Sequence, residues 1–310
     1  MESAKSLGVD THRAHQLRQV LEAHLAWIEE RPDGVRAQLI GANLNDLKLD
    51  RPNLQGAILK GATLLEADLS GANLSGASLE EADLRQASLA GANLSEADLT
   101  RANCVRCWLV EANLCEATLA ATSFQRGNLR AARMSEARIH QCNFAGTVLE
   151  AAGLHHASVF DSDFTDANLE NALLYHAKFQ SCRFTDANAC GANFSSAKLM
   201  ACDFRGAQLS GTKFQGADLR GSSFCRASMS YCDLRKTELK GVDFCSATLG
   251  NALFAEAEMF TADLRGANLK GARGLTATQL CQARTDERTI LPSGRKGPYV
   301  KGSGSERPCL

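Results

Sequence analysis

Two features of membrane-spanning and exported proteins are missing from this sequence. The opening residues, MESAKSLGVD, contain no apolar stretch of the kind found in signal peptides. No run of about 18 apolar residues occurs in the sequence, although a membrane-spanning helix needs one. We therefore expect no membrane span and a cytoplasmic location.

Net charge and aromatic residues are also scarce. The formal charge of the 310 residues is −1, and aromatic side chains make up 6% of them. A nucleic-acid-binding protein usually carries a basic surface, so direct nucleic-acid binding is not expected. A protein that imitates DNA over its whole surface would need a large negative excess, which is absent too. The few aromatic residues suit a narrow core of small, repeated side chains.

What the sequence does contain is an unbroken five-residue repeat. Leucine occupies every fifth position from Leu69 to Leu99, and the register continues from Leu44 to Leu269 through 46 units. A large apolar residue fills the main position, i, in 44 units, and a small residue fills position i−2 in 43. A period of five fits neither a strand nor a helix. It predicts a very short strand with i and i−2 pointing inward, followed by a turn.

The spacing of phenylalanine predicts how many units make one coil. Seven of the thirteen phenylalanines are 20 residues apart in one register: Phe124, Phe144, Phe164, Phe184, Phe204, Phe224 and Phe244. Like residues stack when their separation equals one circuit of the chain, so four units make a coil. The sequence therefore predicts an all-β solenoid of about 11–12 four-sided coils, which pair as parallel strands about 4.8 Å apart.

The repeat units EADLS, GANLS, EADLR and GADLR resemble the A(D/N)LXX motif of the pentapeptide-repeat family. The resemblance covers residues 41–273 and implies a right-handed quadrilateral β-helix. Some members of that family protect DNA gyrase from quinolones or toxins as DNA mimics, and others act in bacterial secretion. The resemblance thus adds two alternative roles to that of a scaffold.

Both ends of such a stack need caps, because open strand edges invite aggregation. Residues 11–30 are expected to form an amphipathic helix, started by Asp10 or Thr11, with one apolar stripe of Leu17, Val20, Leu21, Leu25 and Ile28. We expect an N-terminal helical cap over 1–40, the repeat β-helix over 41–273 and a C-terminal cap with a short helix over 274–286. The proline- and glycine-containing residues 287–310 are expected to be disordered.

No motif of an enzyme or a metal site is evident. The C-x-x-C of Cys104 and Cys107 occupies positions i and i−2 of neighbouring units, so both thiols should point into the core. Cys225 and Cys245 lie one coil apart at the outward position i+1, where oxidation or binding of a soft metal is an alternative to simple exposure. We expect no enzymatic activity, no cofactor and no metal.

Two outer features are candidates for partner binding. Stepping by 20 residues places Glu96, Glu116, Glu136, His156 and His176 in one column, which forms either a set of solvated turn residues or an acidic strip for a basic partner. Beside it, His155 should stack under Tyr175, and His140 should lie under Phe160. These rings form either a docking patch, because protein interfaces favour aromatic residues, or a set of tolerated surface side chains.

The sequence favours a non-enzymatic scaffold that binds a protein partner in a bacterial cytosol. The first alternative is a DNA mimic that binds DNA gyrase or topoisomerase IV, and the second is an effector or accessory protein of a secretion system. The near-neutral charge and the uninterrupted register weigh against the mimic. The partner's identity and the oligomeric state are left open.

Overall fold

The computed structural model describes residues 11–308. Its regular elements, in chain order, are α1 (Thr11–Ile28), β1 (Thr118–Ala120), β2 (Arg138–His140), β3 (Ser158–Phe160), β4 (Lys178–Gln180), β5 (Lys198–Met200) and α2 (Ala277–Gln282). Single parallel bridges and turns make up the rest of the rod between the two helices. Neither helix has the length and apolar character needed to cross a membrane.

Bridges in the rod join residues 20 positions apart. They are all parallel from the pair Gln38–Ile58 to the pair Leu253–Arg273, a span of just under twelve coils at 20 residues each. The five strands form one sheet in the order β1-β2-β3-β4-β5, each in register with the next coil. The predicted all-β solenoid with 20-residue coils is therefore confirmed.

The core of the rod is built from positions i and i−2. The two units without a large residue, at Cys104 and Ala189, are also buried. Successive rings of the phenylalanine register stack with centroid separations between 4.5 and 5.4 Å. These separations match the spacing of neighbouring strands, so the same contacts that fill the core also fix the coil length.

One side of the rod forms true strands, and the corner that follows it differs from the others in its backbone hydrogen bonds. At an ordinary corner, the i−2 N–H donates to the preceding i carbonyl, as Ala82 does to Leu79. After β1 to β5 this backbone bond is absent, and a threonine, serine or cysteine at position i−2 forms hydrogen bonds with the backbone, as Thr147 also does at an ordinary corner. For example, the Ser162 hydroxyl accepts from the Cys142 N–H at 3.1 Å, and the Thr122 hydroxyl donates to the Leu99 carbonyl at 2.7 Å.

Helix α1 packs against the first coil with most of the predicted stripe. Leu17 is buried in the core and Val20 and Leu21 pack against it, but Leu25 is 41% exposed. His24 is buried instead; its Nδ1 accepts a hydrogen bond from the Ala37 N–H at 3.1 Å, and its ring stacks on Trp27 at 5.4 Å. Polar His24 was missed because a search for apolar residues at helical spacing does not find it. The proposed capping role of Asp10 lies outside the described residues.

The C-terminal end is closed by α2 and by the residues after it. Thr276 and Gln279 form a capping box, and Gln279 Nε2 donates to the carbonyls of Phe254 and Ala257 at 3.1 and 2.8 Å. Leu280 of α2 is buried against the end of the rod. These bonds satisfy backbone acceptors that the last coil would otherwise expose.

The expectation of disorder after residue 286 is wrong for the described residues. Ile290 bridges Asn268 in parallel and Lys296 in antiparallel fashion, so the chain adds further sides to the solenoid and then covers its edge. Leu291 is buried, and the Thr289 hydroxyl donates to the Leu264 carbonyl at 3.0 Å. The proline and glycine content of residues 287–310 indicated disorder, although the segment contains the apolar pair Ile290 and Leu291.

Candidate functional site

The outward side chains of the rod are positioned by its corners. Position i+2 of the units has a positive φ, as at Glu136 (59°), His156 (60°) and His176 (58°). That conformation favours glycine, and glycine fills the same column at Gly76 and Gly216. Because non-glycine residues share it along the whole rod, the strain by itself does not mark a site.

Four rings meet at one corner, which we call the ring corner: His155, His156, Tyr175 and His176. His155 stacks on Tyr175 at 4.9 Å and 7°, and His156 stacks on His176 at 5.2 Å and 14°. Within each coil the two rings meet edge to face, at 5.9 and 5.8 Å. The structure thus brings together the four residues that the 20-residue spacing had placed in two neighbouring columns.

His155 is the electrostatically distinct member of the ring corner. Burial lowers its pKa, and the neighbouring His156 adds to the effect, whereas Glu136 opposes it. Its Nδ1 is buried, and no hydrogen-bond partner for it exists among the described residues. A neutral His155 therefore forms the inner layer of the corner, and the exposed edges of His156 and His176 lie outside it.

His140 and Phe160 lie on the next corner and not within the ring cluster. They are opposite each other in the β2–β3 pairing, as predicted. His140 Nε2, however, approaches Asp161 Oδ2 at 3.5 Å, so its polar edge faces a carboxylate. The sheet of β1 to β5 separates this second corner from the ring corner, and the candidate residues therefore border one sheet surface on two sides.

We call that surface the strand face; it consists of the outward first residues of the five strands. These are Thr118, Arg138, Ser158, Lys178 and Lys198. The sequence analysis did not single out Lys178 and Lys198. The signal was present, because both fall in the same 20-residue column as Arg138, between the two corners.

Three glutamates lie in the same column as His156 and His176, as predicted. Glu96, Glu116 and Glu136 are exposed at successive coils directly below His156. None of them forms an ion pair within residues 11–308. Carboxylates about 4.8 Å apart in backbone spacing repel one another, so the column is not a stabilising feature.

Four aspartates in the C-terminal coils of the rod, which we call the upper coils, are neutralised by an arginine of their own unit. An aspartate at i−1 receives two hydrogen bonds from the arginine at i+1, with Nη2–Oδ2 distances of 2.6 Å, in the pairs Asp203–Arg205, Asp218–Arg220, Asp233–Arg235 and Asp263–Arg265. The same arrangement occurs at Asp83 and Arg85. These arginines hold the pKa values of the aspartates below their usual range, so both partners stay charged and paired.

The cysteines have the placements that the repeat predicts. Cys104 and Cys107 are buried, and the contact with Cys107 together with burial raises the pKa of Cys104. Cys225 and Cys245 are half-buried, and burial beside the carboxylates of Asp243 and Asp263 raises the pKa of Cys245 to about 12. Residues 11–308 hold no group of three or more His, Cys, Asp or Glu side chains placed to bind a metal ion.

A family model described as pentapeptide repeats matches the chain in overlapping segments that together cover residues 37–273. The chain belongs to the pentapeptide-repeat family. A right-handed, four-sided coil is typical of that family, in agreement with the fold described above. No functionally curated protein matches the chain.

Solved structures of other family members resemble the chain. HetL, a pentapeptide repeat protein involved in heterocyst differentiation regulation from the cyanobacterium Nostoc sp. strain PCC 7120, is 27% identical; the match covers 81% of this chain and 93% of HetL, with a TM-score of 0.45. QnrB1, a plasmid-mediated fluoroquinolone resistance protein, is 19% identical, over 55% and 89% of the two chains, with a TM-score of 0.27. A pentapeptide repeat protein from the Arabidopsis thaliana thylakoid lumen is 22% identical, over 44% and 81%, with a TM-score of 0.19.

Proposed function

We propose that the chain is a rigid, non-enzymatic scaffold that binds a protein partner through the ring corner, in a bacterial cytosol. The observation that carries the proposal is the four-ring cluster of His155, His156, Tyr175 and His176. Aromatic residues are scarce in this chain, and most of its phenylalanines are buried. Exposed ring edges gathered at one corner therefore need a reason other than packing.

The ring corner has the physical properties of an interface anchor. Stacked rings on rigid turns are already ordered, so little side-chain entropy is lost when a partner covers them. The rings combine apolar faces with polar nitrogen and hydroxyl groups at their edges, which is the combination that interface centres favour. Pentapeptide-repeat proteins are typically non-enzymatic scaffolds, which agrees with this role.

The local charge pairing weighs against the alternative of a DNA mimic. A mimic needs unpaired negative charges at regular spacing along one face. In this rod the aspartates at i−1 of several upper units are matched by arginines at i+1. The unpaired Glu96, Glu116 and Glu136 make only a short strip.

A capture experiment with matched variants tests the proposal. The tagged protein is cross-linked in a bacterial lysate, and the retained proteins are compared for wild type, His156→Ala with Tyr175→Ala, and the control Tyr231→Ala. Tyr231 is 68% exposed at another corner, so its loss removes a surface ring elsewhere on the rod. We expect a partner that wild type and Tyr231→Ala retain and that the double variant loses.

Three other outcomes would contradict the proposal. Equal retention by all three proteins would show that the ring corner is not the docking site. Retention of gyrase or topoisomerase IV subunits regardless of the ring corner would support the mimic instead. If no partner is retained by any of them, the scaffold role has no support.

A further inference from the structure

The strand face between the two corners carries three cations that form no ion pair within residues 11–308, although Lys198 lies one coil below Asp218 and helps to lower the pKa of that carboxyl. Arg138, Lys178 and Lys198 are exposed on strands β2, β4 and β5. They contrast with the arginines of the upper coils, such as Arg205 and Arg220, which are locked onto neighbouring carboxylates.

The positive charge is not a by-product of stability. Lys178 and Lys198 are directly opposite each other in the β4–β5 pairing, and like charges at opposite positions of neighbouring strands repel. Any of the uncharged residues found elsewhere at position i−1, such as the asparagines of other columns, would avoid that repulsion. The arrangement therefore points to recognition of negative charge.

Acidic residues limit the length of the basic stretch. In the same column, Asp98 lies below Thr118, and Asp218, Glu238 and Glu258 lie above Lys198. From Arg138 to Lys198 there are three strand spacings, or about 14 Å. An extended peptide of four or five residues spans that distance at about 3.3 Å per residue. Asp218 and Glu238 are both paired with Arg220, so a DNA duplex long enough to follow the rod would meet Asp98 at one end and Glu258 at the other.

We propose that the strand face binds a short, acidic, extended segment of the protein partner, with its carboxylates on Arg138, Lys178 and Lys198. This inference rests on the proposed scaffold function, because it describes the surface beside the ring corner. His156 and His176 border the strand face on one side and Phe160 borders it on the other, so apolar side chains of the same segment contact rings at either edge.

Binding of a simple acidic peptide tests the inference. Fluorescence anisotropy is measured with fluorescein-labelled hexaglutamate, with hexaglutamine as the uncharged control, at about 50 mM salt, where the Debye length exceeds 10 Å. We expect wild type to bind hexaglutamate and to bind it at least about tenfold more weakly after Lys178→Glu with Lys198→Glu. Higher salt should weaken the wild-type complex.

A matched double variant separates local recognition from general charge. Lys213→Glu with Lys270→Glu changes the net charge by the same amount, and both lysines are exposed on other faces of the rod. Binding should be nearly unchanged in this variant, and circular dichroism should show the same fold in all three proteins.

Several results would overturn the inference. They are an equal loss in the Lys213→Glu, Lys270→Glu protein, equal binding of hexaglutamine, and no binding of hexaglutamate at all. Tighter binding of a 20-base-pair DNA duplex that the Lys178→Glu, Lys198→Glu change abolishes would identify a nucleic-acid surface instead. A partner that depends on Tyr175 but not on the two lysines would leave the scaffold function intact and refute only the acidic segment.

Discussion

Truncation of one ring in the middle of the phenylalanine ladder is expected to destabilise the rod more than truncation at its end. Phe184 stacks on Phe164 and Phe204 at 4.8 and 4.5 Å, and its edge or face meets Phe179 and Phe194 at 5.5 and 6.4 Å. Removing a fully buried phenylalanine side chain costs about 3–5 kcal/mol in the free energy of unfolding. Each ring pair adds about 0.5–1.5 kcal/mol to the burial term.

Phe124 provides the comparison at the same register position. It is also fully buried, but among the described residues Phe144 is its one ring partner, at 5.1 Å. Three fewer ring contacts predict that Phe184→Ala lowers the free energy of unfolding by about 2 kcal/mol more than Phe124→Ala does. Phe184→Leu should lose far less than Phe184→Ala, because leucine is the commonest residue at position i and fills most of the space.

Urea unfolding followed by far-ultraviolet circular dichroism measures these differences, with the slope of free energy against urea compared among variants. A changed slope would mean that part of the rod unfolds separately, as long repeat arrays can do. Equal losses for the two alanine variants would refute the claim that ring contacts matter beyond burial. A loss for Phe184→Leu as large as for Phe184→Ala would refute the cavity argument.

Three further predictions concern the ends and corners of the rod. Gln279→Ala removes two hydrogen bonds to carbonyls of the last coil and should cost about 2 kcal/mol, measured by thermal unfolding, whereas an unchanged midpoint would mean that α2 is not a cap. Burial lowers the pKa of His24, so the unfolded chain takes up a proton at this residue at a higher pH than the folded chain does. The free energy of unfolding should therefore be constant above the ordinary pKa of 6.5 and fall as the pH drops below it toward the folded pKa. His24→Gln should flatten this pH profile, and an unchanged profile would contradict the reasoning. Glu136→Gly relieves a positive φ and should raise the free energy of unfolding by about 0.5–1 kcal/mol in urea, while a decrease would show that the carboxylate itself stabilises the corner.

The structure of the rod could be predicted from the repeat, but the structure of its two ends could not be predicted as fully. Inward positions follow one rule through 46 units, so the coil length could be read from the phenylalanine spacing before any contact was known. At the ends, single residues decide the structure. His24 is buried although it is polar, and Leu291 is buried within a segment that otherwise has the composition of a disordered tail.

The candidate site was predictable in part, for the same reason. Counting by 20 placed His155 beside Tyr175 and His156 beside His176, because side chains in one column follow the backbone register. Counting could not show that His140 turns toward Asp161, since that depends on the side-chain conformation at a corner. It also could not show which charges are paired. Arg205 and Lys198 are both simply basic residues in the sequence, but in the structure Arg205 forms an ion pair with Asp203 and Lys198 forms none within residues 11–308.

The distribution of charge pairs gives the outer surface of the rod its local character. The inward positions take two residues of each unit, so position i−1 and the corner positions are free to vary without disturbing the core. Exposed Asp–Arg pairs such as Asp218–Arg220 contribute little to stability. Their main physical effect is to cancel charge along the upper coils. On the strand face beside the ring corner, Arg138, Lys178 and Lys198 take part in no such pair within residues 11–308. Because the backbone is the same in both regions, any partner that distinguishes them must do so by these side chains, as the docking surface proposed for the middle of the rod requires.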